Sequence, residues 1–167
     1  LKSHGLAGTE WAEDLAAKRQ AKWRIHQDYR RLLDDKEIDG VIIGATDHAR
    51  ALLSIHACQA GKDVYAEKPL TLYVAEGRAI VKAAERYKRV FQVGSQQRSM
   101  AMNQVACKFV RDGGLGQIYF VQGCNYPSAS IWTNDPGQPV PDGMNWDLWL
   151  GQTVERPYHG RLYGGWM

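Results

Sequence analysis

The sequence predicts an α/β protein: part of a Rossmann-type parallel sheet, then the start of a second α/β domain with a mostly antiparallel sheet. Three observations carry this. Short apolar runs alternate with helical stretches of 10 to 17 residues between Val41 and Val93, the pattern of βαβ units. Each apolar run ends in a polar or glycine-containing turn, at Gly44–His48, Glu67–Pro69 and Gly94–Arg98. After Gln97 the alternation stops, and a longer stretch with period-two character follows, Gln117–Cys124.

The elements follow in order. Residues Glu10 to Arg24 are rich in Ala, Lys, Glu and Arg and predict an amphipathic helix. Asp28 is placed to cap a short helix from Tyr29 to Leu33. Val41–Ala45 is a continuous apolar run, which predicts a strand buried on both faces. Thr46-Asp47 caps a helix running to Ala60, with Gly61 as its terminating residue. Asp63–Ala66 is the next strand, and Thr71–Tyr87 the next helix, with Val74, Ile80, Val81, Ala84 and Tyr87 on one side. Val90–Val93 is a third strand, ended by Gly94. Right-handed crossovers and helices covering both faces of the sheet are expected. A helix from about Met102 to Arg111 ends at Gly113-Gly114. The loop-rich segment Tyr126–Gly160 holds five of the six prolines, and its Pro/Gly stretch Asp135–Gly143 reads as a surface loop or lid. A domain boundary near Gly94–Arg98 divides residues 1–95 from 96–167.

Bulk properties narrow the function classes. The 167 residues are 44% hydrophobic and 23% charged, values of a globular domain. A net charge of +3, from 21 basic and 18 acidic residues without clustering, gives nucleic-acid binding no support. No apolar run approaches the roughly 18 residues that span a bilayer. Cys58, Cys107 and Cys124 form neither a CxxC pair nor a zinc pattern, so no metal is expected, and Cys58 and Cys107 read as small buried hydrophobes. The sequence opens at Leu1 in a helical pattern and closes at Gly164-Gly165-Trp166-Met167. Both ends read as cut, so an export signal is not assessable and the location is cytoplasmic or periplasmic.

The chemistry candidates lie at the strand ends, where open α/β sheets bind ligands. Glu67-Lys68-Pro69 sets an acid and a base in a proline-fixed turn; a cis Lys68–Pro69 bond is compatible with it. Thr46-Asp47-His48 and Ser95-Gln96-Gln97-Arg98 occupy the equivalent turns. Asp47 and His48 could also be a cap and a packing residue, and Arg98 a domain-interface residue. Arg50 reads either as a site for an anionic ligand or as part of a solvated helix face. Trp146 and Trp149 fall on one side of a turn beside Asp147, an arrangement that suits a sugar ring or pins a long loop. No GxGxxG turn occurs in the sequence.

The run GKDVYAEKPLTLYVAEGRAIV, the segment GSQQR and the loop with WDLWLG resemble the Gfo/Idh/MocA family of nicotinamide-dependent oxidoreductases. The segment GATDHARA is similar to that family's ATPDHWHA, with Thr46 in place of proline, Ala49 in place of tryptophan and Arg50 in place of histidine. The resemblance spans roughly Asp28 to His159. It implies a Rossmann domain that binds NAD or NADP, with its GxGxxG unit upstream of Leu1, and a substrate domain whose Asp/His motif follows the end of the sequence. A fragment lacking both is expected to be inactive by itself. The resemblance further implies that Thr46, Asp47, His48, Glu67, Lys68 and Gln96 border the cofactor. Lys68 would be the catalytic group, its pKa lowered by partial burial, and Glu67 would orient it or the nicotinamide ribose. Arg98, Trp146 and Asp147 are the substrate candidates. The implied activity is hydride transfer at a hydroxyl carbon of a sugar, sugar derivative or cyclitol, in a homo-oligomer joined through the C-terminal sheet. Two alternatives remain: an NAD-dependent glycoside hydrolase working by transient oxidation and elimination, and a non-catalytic binding or regulatory homologue.

Overall fold

A computed structural model describes residues 17–20, 23–124 and 136–164. The expected helix Glu10–Arg24 lies mostly outside the described residues, as do Asn125–Asp135 and the last three residues. The chain order is α1 (Tyr29–Leu33), β1 (Gly40–Ile43), α2 (Asp47–Gln59), β2 (Asp63–Glu67), α3 (Val74–Tyr87) and β3 (Phe91–Gly94). A 3₁₀ turn (Gln96–Ser99), α4 (Ala101–Arg111), α5 (Trp146–Leu150) and α6 (Gly160–Gly164) follow.

The three strands form one parallel sheet in the order β1-β2-β3. Ile43 is level with Ala66, Ala66 with Val93, and Glu67 with Gly94. Val41 and Ile43, Val64 and Ala66, and Phe91 therefore share one face, and all five belong to or pack on the core formed with Leu33, Ala57, Cys58 and Ala83. On α2 the inward positions are Arg50, Ala51, Ser54, Ala57 and Cys58, a helical spacing whose small residues let α2 lie close to α3. Gly61, at φ +78°, ends this helix segment in the backbone region that costs glycine least. Asp28 caps α1, its Oδ1 accepting the Arg30 backbone N–H at 2.9 Å.

Several expectations are corrected. Both crossover helices follow strands that advance in one direction, so α2 and α3 fall on one side. The other face of the sheet stays open among the described residues: Ile42 is 80% exposed, and Tyr65 and Gln92, level with it, are exposed too. β1 is thus not buried on both faces. The helix after Pro69 starts at Val74 rather than Thr71, because the Glu76 carboxylate accepts the backbone N–H groups of Leu72 and Tyr73 and holds them outside the helix. Its buried stripe is Ile80 and Ala83, backed by Ala84 and Tyr87, while Val74 and Val81 face outward. Residues 117–124 pair with no strand, and Tyr119, Phe120 and Val121 are exposed. A period-two pattern makes a strand only where a partner strand supplies hydrogen bonds, and none of the described residues does. Cys107 is exposed, whereas Cys58 is buried as expected.

Candidate functional site

Parallel strands place all their carboxyl ends on one edge, so the three polar turns of the sequence meet there. This edge carries Thr46, Asp47 and His48 after β1, Glu67 and Lys68 after β2, and Gln96 after β3. A side chain built on Gly44 would meet nothing within 4 Å, so the end of β1 opens onto free space.

Glu67 lies level with Gly94 on the open face of the sheet. A methyl group on Gly94 would stand 3.0 Å from the Glu67 carboxylate, so the glycine is the reason that the carboxylate can lie across the neighbouring strand. Glu67 also accepts the Lys68 backbone N–H at 3.2 Å, and the Lys68–Pro69 bond is cis. Lys68 is exposed, not partly buried as expected: it follows the last paired residue of β2, beyond the cover of α2 and α3. Its ammonium and the amide of Gln96 take no partner among the described residues.

Asp47 and His48 are engaged within the fold. The Asp47 carboxylate pairs with the Arg50 guanidinium at 3.1 Å. His48 Nε2 donates to the Trp149 carbonyl at 2.7 Å, its ring tilts against the Trp149 indole at 4.7 Å, and its own carbonyl accepts from the Gln152 amide. Thr46 occupies the cap position of α2 without a side-chain cap bond; its hydroxyl lies 3.3 Å from His48 Nε2. Trp146 stacks on Trp149 at 4.6 Å, meets Tyr158 edge-on at 5.1 Å and donates from Nε1 to the Arg156 carbonyl at 2.8 Å. The WDLWLG loop is therefore pinned onto the end of β1 by an aromatic cluster. Asp147, in the first turn of α5, is exposed, and Arg98 is exposed in the 3₁₀ turn. Beside Thr46 opens a cavity of about 430 Å³, lined in part by His26, Tyr29, Ala49, Leu148 and Trp149. Burial pushes the Tyr29 phenol up, and its oxygen lies 2.7 Å from His56 Nδ1.

The sequence reading missed two buried cations. Arg50 is 4% exposed, so neither an anion site nor a solvated face describes it; its place on the Ala51–Ser54–Ala57–Cys58 stripe is the signal that finds it. Lys62 is 3% exposed, with Nζ donating to the carbonyls of Asp35 at 2.6 Å and Ile38 at 2.8 Å; nothing in the local sequence marks it. No group of three His, Cys, Asp or Glu residues among the described residues could hold a metal, and no described helix is long and apolar enough to cross a membrane.

A parallel βαβαβ unit with its polar turns gathered on the carboxyl edge is the architecture of a nucleotide-binding α/β domain. The profile of the Gfo/Idh/MocA group, "Oxidoreductase family, NAD-binding Rossmann fold", matches residues 2–95. The chain belongs to that oxidoreductase family. It is 30% identical over 125 residues to levoglucosan dehydrogenase of Pseudarthrobacter phenanthrenivorans, covering 75% of this chain and 31% of the relative. It is 32% identical over 108 residues to inositol 2-dehydrogenase of Salmonella typhimurium, covering 64% and 32%. A solved levoglucosan dehydrogenase in complex with NADH and levoglucosan superposes with a TM-score of 0.57 at 29% identity, over 66% of this chain and 29% of that one. The chain thus spans about a third of the length of these relatives.

Proposed function

We propose that the complete protein is an NAD(P)-dependent dehydrogenase acting on a hydroxyl carbon of a sugar, sugar derivative or cyclitol. The observation that carries this reading is the single strand edge that bears Glu67, Lys68 and Gln96, where the Lys68 ammonium and the Gln96 amide take no partner among the described residues. That donor set, with open space in front of Gly44, fits the polar nicotinamide half of a dinucleotide. When bound, the cofactor supplies the acceptor or donor of hydride. Lys68 and Gln96 would border it, with Glu67 holding the backbone of the Lys68 turn.

Lys68 then does the proton chemistry. In the oxidation direction it takes the proton of the substrate hydroxyl while the C–H electron pair departs, and in the reverse direction it returns a proton. Asp47 and His48 contribute from a step back, through Arg50 and the Trp149 loop. The named activities of the relatives, on an anhydrosugar and a cyclitol, favour a ring polyol as substrate. The second domain, from residue 96 onward, would supply the rest of the substrate site.

The test follows nicotinamide absorbance with NAD and NADP while myo-inositol, levoglucosan, free sugars and aryl glycosides are supplied in turn. Accumulating NADH or NADPH with a polyol is the expected result. Cleavage of a glycoside that needs NAD without net reduction would replace the dehydrogenase by a hydrolase. Lys68→Ala should lower kcat about 10²–10⁴-fold; unchanged turnover would remove Lys68 from the mechanism.

A further inference from the structure

We infer that Arg50 is a positioning residue for Lys68, a buried clamp that ties the turn after β2 to the end of β1. This rests on the reading of Lys68 given above. The guanidinium reaches two segments, Ala45–Asp47 and Pro69, that α2 and β2 separate in sequence. Nη1 donates to the Pro69 carbonyl and to Asp47 Oδ1 at 3.1 Å, and Nη2 donates to the Ala45 carbonyl. Ala45 follows β1, Asp47 opens α2, and Pro69 directly follows Lys68. One rigid, planar group thus sets the distance between two of the three turns on the functional edge.

The chemistry suits that task. The fork of a guanidinium presents several donors in one plane. The Asp47 carboxylate supplies the opposite charge that a cation at 4% exposure requires. Pro69 has no N–H with which to fasten its turn to a neighbouring strand, so its carbonyl is the available handle. Lys68 itself is exposed and without a partner among the described residues. Its position therefore depends on its backbone, which Glu67 holds from one side and Arg50 from the other. A side chain held this way can face a substrate while keeping its ammonium free to react.

The buried Lys62 provides a matched control. It donates to two backbone carbonyls, as Arg50 does, but it precedes β2 and so lies at the opposite end of the sheet. The experiment compares Arg50→Met, Arg50→Lys, Lys62→Met and Lys68→Ala in the complete protein. Amide hydrogen exchange of the peptide covering residues 64–72 is read without cofactor. Kinetics use whichever of myo-inositol or levoglucosan is turned over, below the melting temperature of every variant.

Arg50→Met should speed exchange in that peptide at least tenfold, while Lys62→Met leaves it within twofold of wild type once global stability is allowed for. Arg50→Met should lower kcat about 10–100-fold with little change in KM, and Arg50→Lys should recover part of both effects. Combined with Lys68→Ala, Arg50→Met should cost little more, because a clamp has nothing left to position. Exchange and kcat like those of Lys62→Met would overturn the inference, as would losses that multiply in the double variant. If neither Arg50 variant folds, Arg50 is a folding residue and the inference falls. If Lys68→Ala keeps full activity while Arg50→Met loosens the turn, the mechanism assigned to Lys68 has failed and the clamp has not.

Discussion

Replacing Lys62 by methionine tests whether a buried ammonium, paired with backbone carbonyls and with no carboxylate among the described residues, holds the amino end of the sheet together. Nζ donates to the carbonyls of Asp35 and Ile38 at 2.6 and 2.8 Å, and the residue is 3% exposed. Both carbonyls lie in the turn that leads from α1 into β1, so the lysine joins that turn to the start of β2. Methionine keeps most of the stem volume and removes the donors. Hydrogen bonds from a charged donor contribute about 1.5–3 kcal/mol each, so two give about 3–6 kcal/mol. Against this stands the desolvation of an ammonium, which methionine does not incur. The net loss expected is about 2–4 kcal/mol, most of it from two half-buried carbonyls left without their charged donor. Urea denaturation followed by tryptophan fluorescence should show an earlier midpoint with an unchanged slope. A loss below about 0.5 kcal/mol, the range of an inert surface change, would refute the reasoning. A gain in stability would mean that desolvation outweighs both bonds.

Two further outcomes follow from single contacts. Gly94→Ala puts a methyl group 3.0 Å from the Glu67 carboxylate, at the far end of a side chain that can turn aside; thermal stability should change little while kcat falls about tenfold through the displaced Lys68 turn, and equal losses in both would argue for a packing role alone. The Asp28 carboxyl is held at about 2 by its hydrogen bonds to Arg30. A depressed acid binds fewer protons in the folded state, so its contribution is complete above the ordinary aspartate range and is lost as pH falls towards 2. A ¹³C titration of that carboxyl should give a midpoint near 2, and Asp28→Asn should keep the cap of α1 but lose the pH-dependent part; an ordinary midpoint would dissolve the ion pair.

Local signals were sufficient wherever a residue's role depends on its neighbours in sequence. The cap at Asp28, the stop at Gly61 and the alternation of β1, α2, β2, α3 and β3 follow from backbone preferences and hydrophobic period, which act within one or two turns of chain. The gathering of Thr46, Glu67, Lys68 and Gln96 on one edge was also legible, because parallel strands joined by right-handed crossovers leave no other arrangement. Tertiary structure decided what burial and distant partners control. Ile42 reads as a core residue and is exposed, since the sequence of a strand cannot say whether a second layer covers it. Residues 117–124 have the pattern of a strand and find no partner strand among the described residues. Arg50 reads as an anion site or a solvated cation and Lys62 carries no local signal, yet both are buried on carbonyl groups 5 to 27 residues away. Charge placement of that kind is fixed by the approach of separate turns, which pattern and propensity do not encode. The sequence by itself determined the elements and the edge on which they end; only the packed chain decided which of its charged groups are buried, as Arg50 and Lys62 are, and which, like Lys68, are exposed.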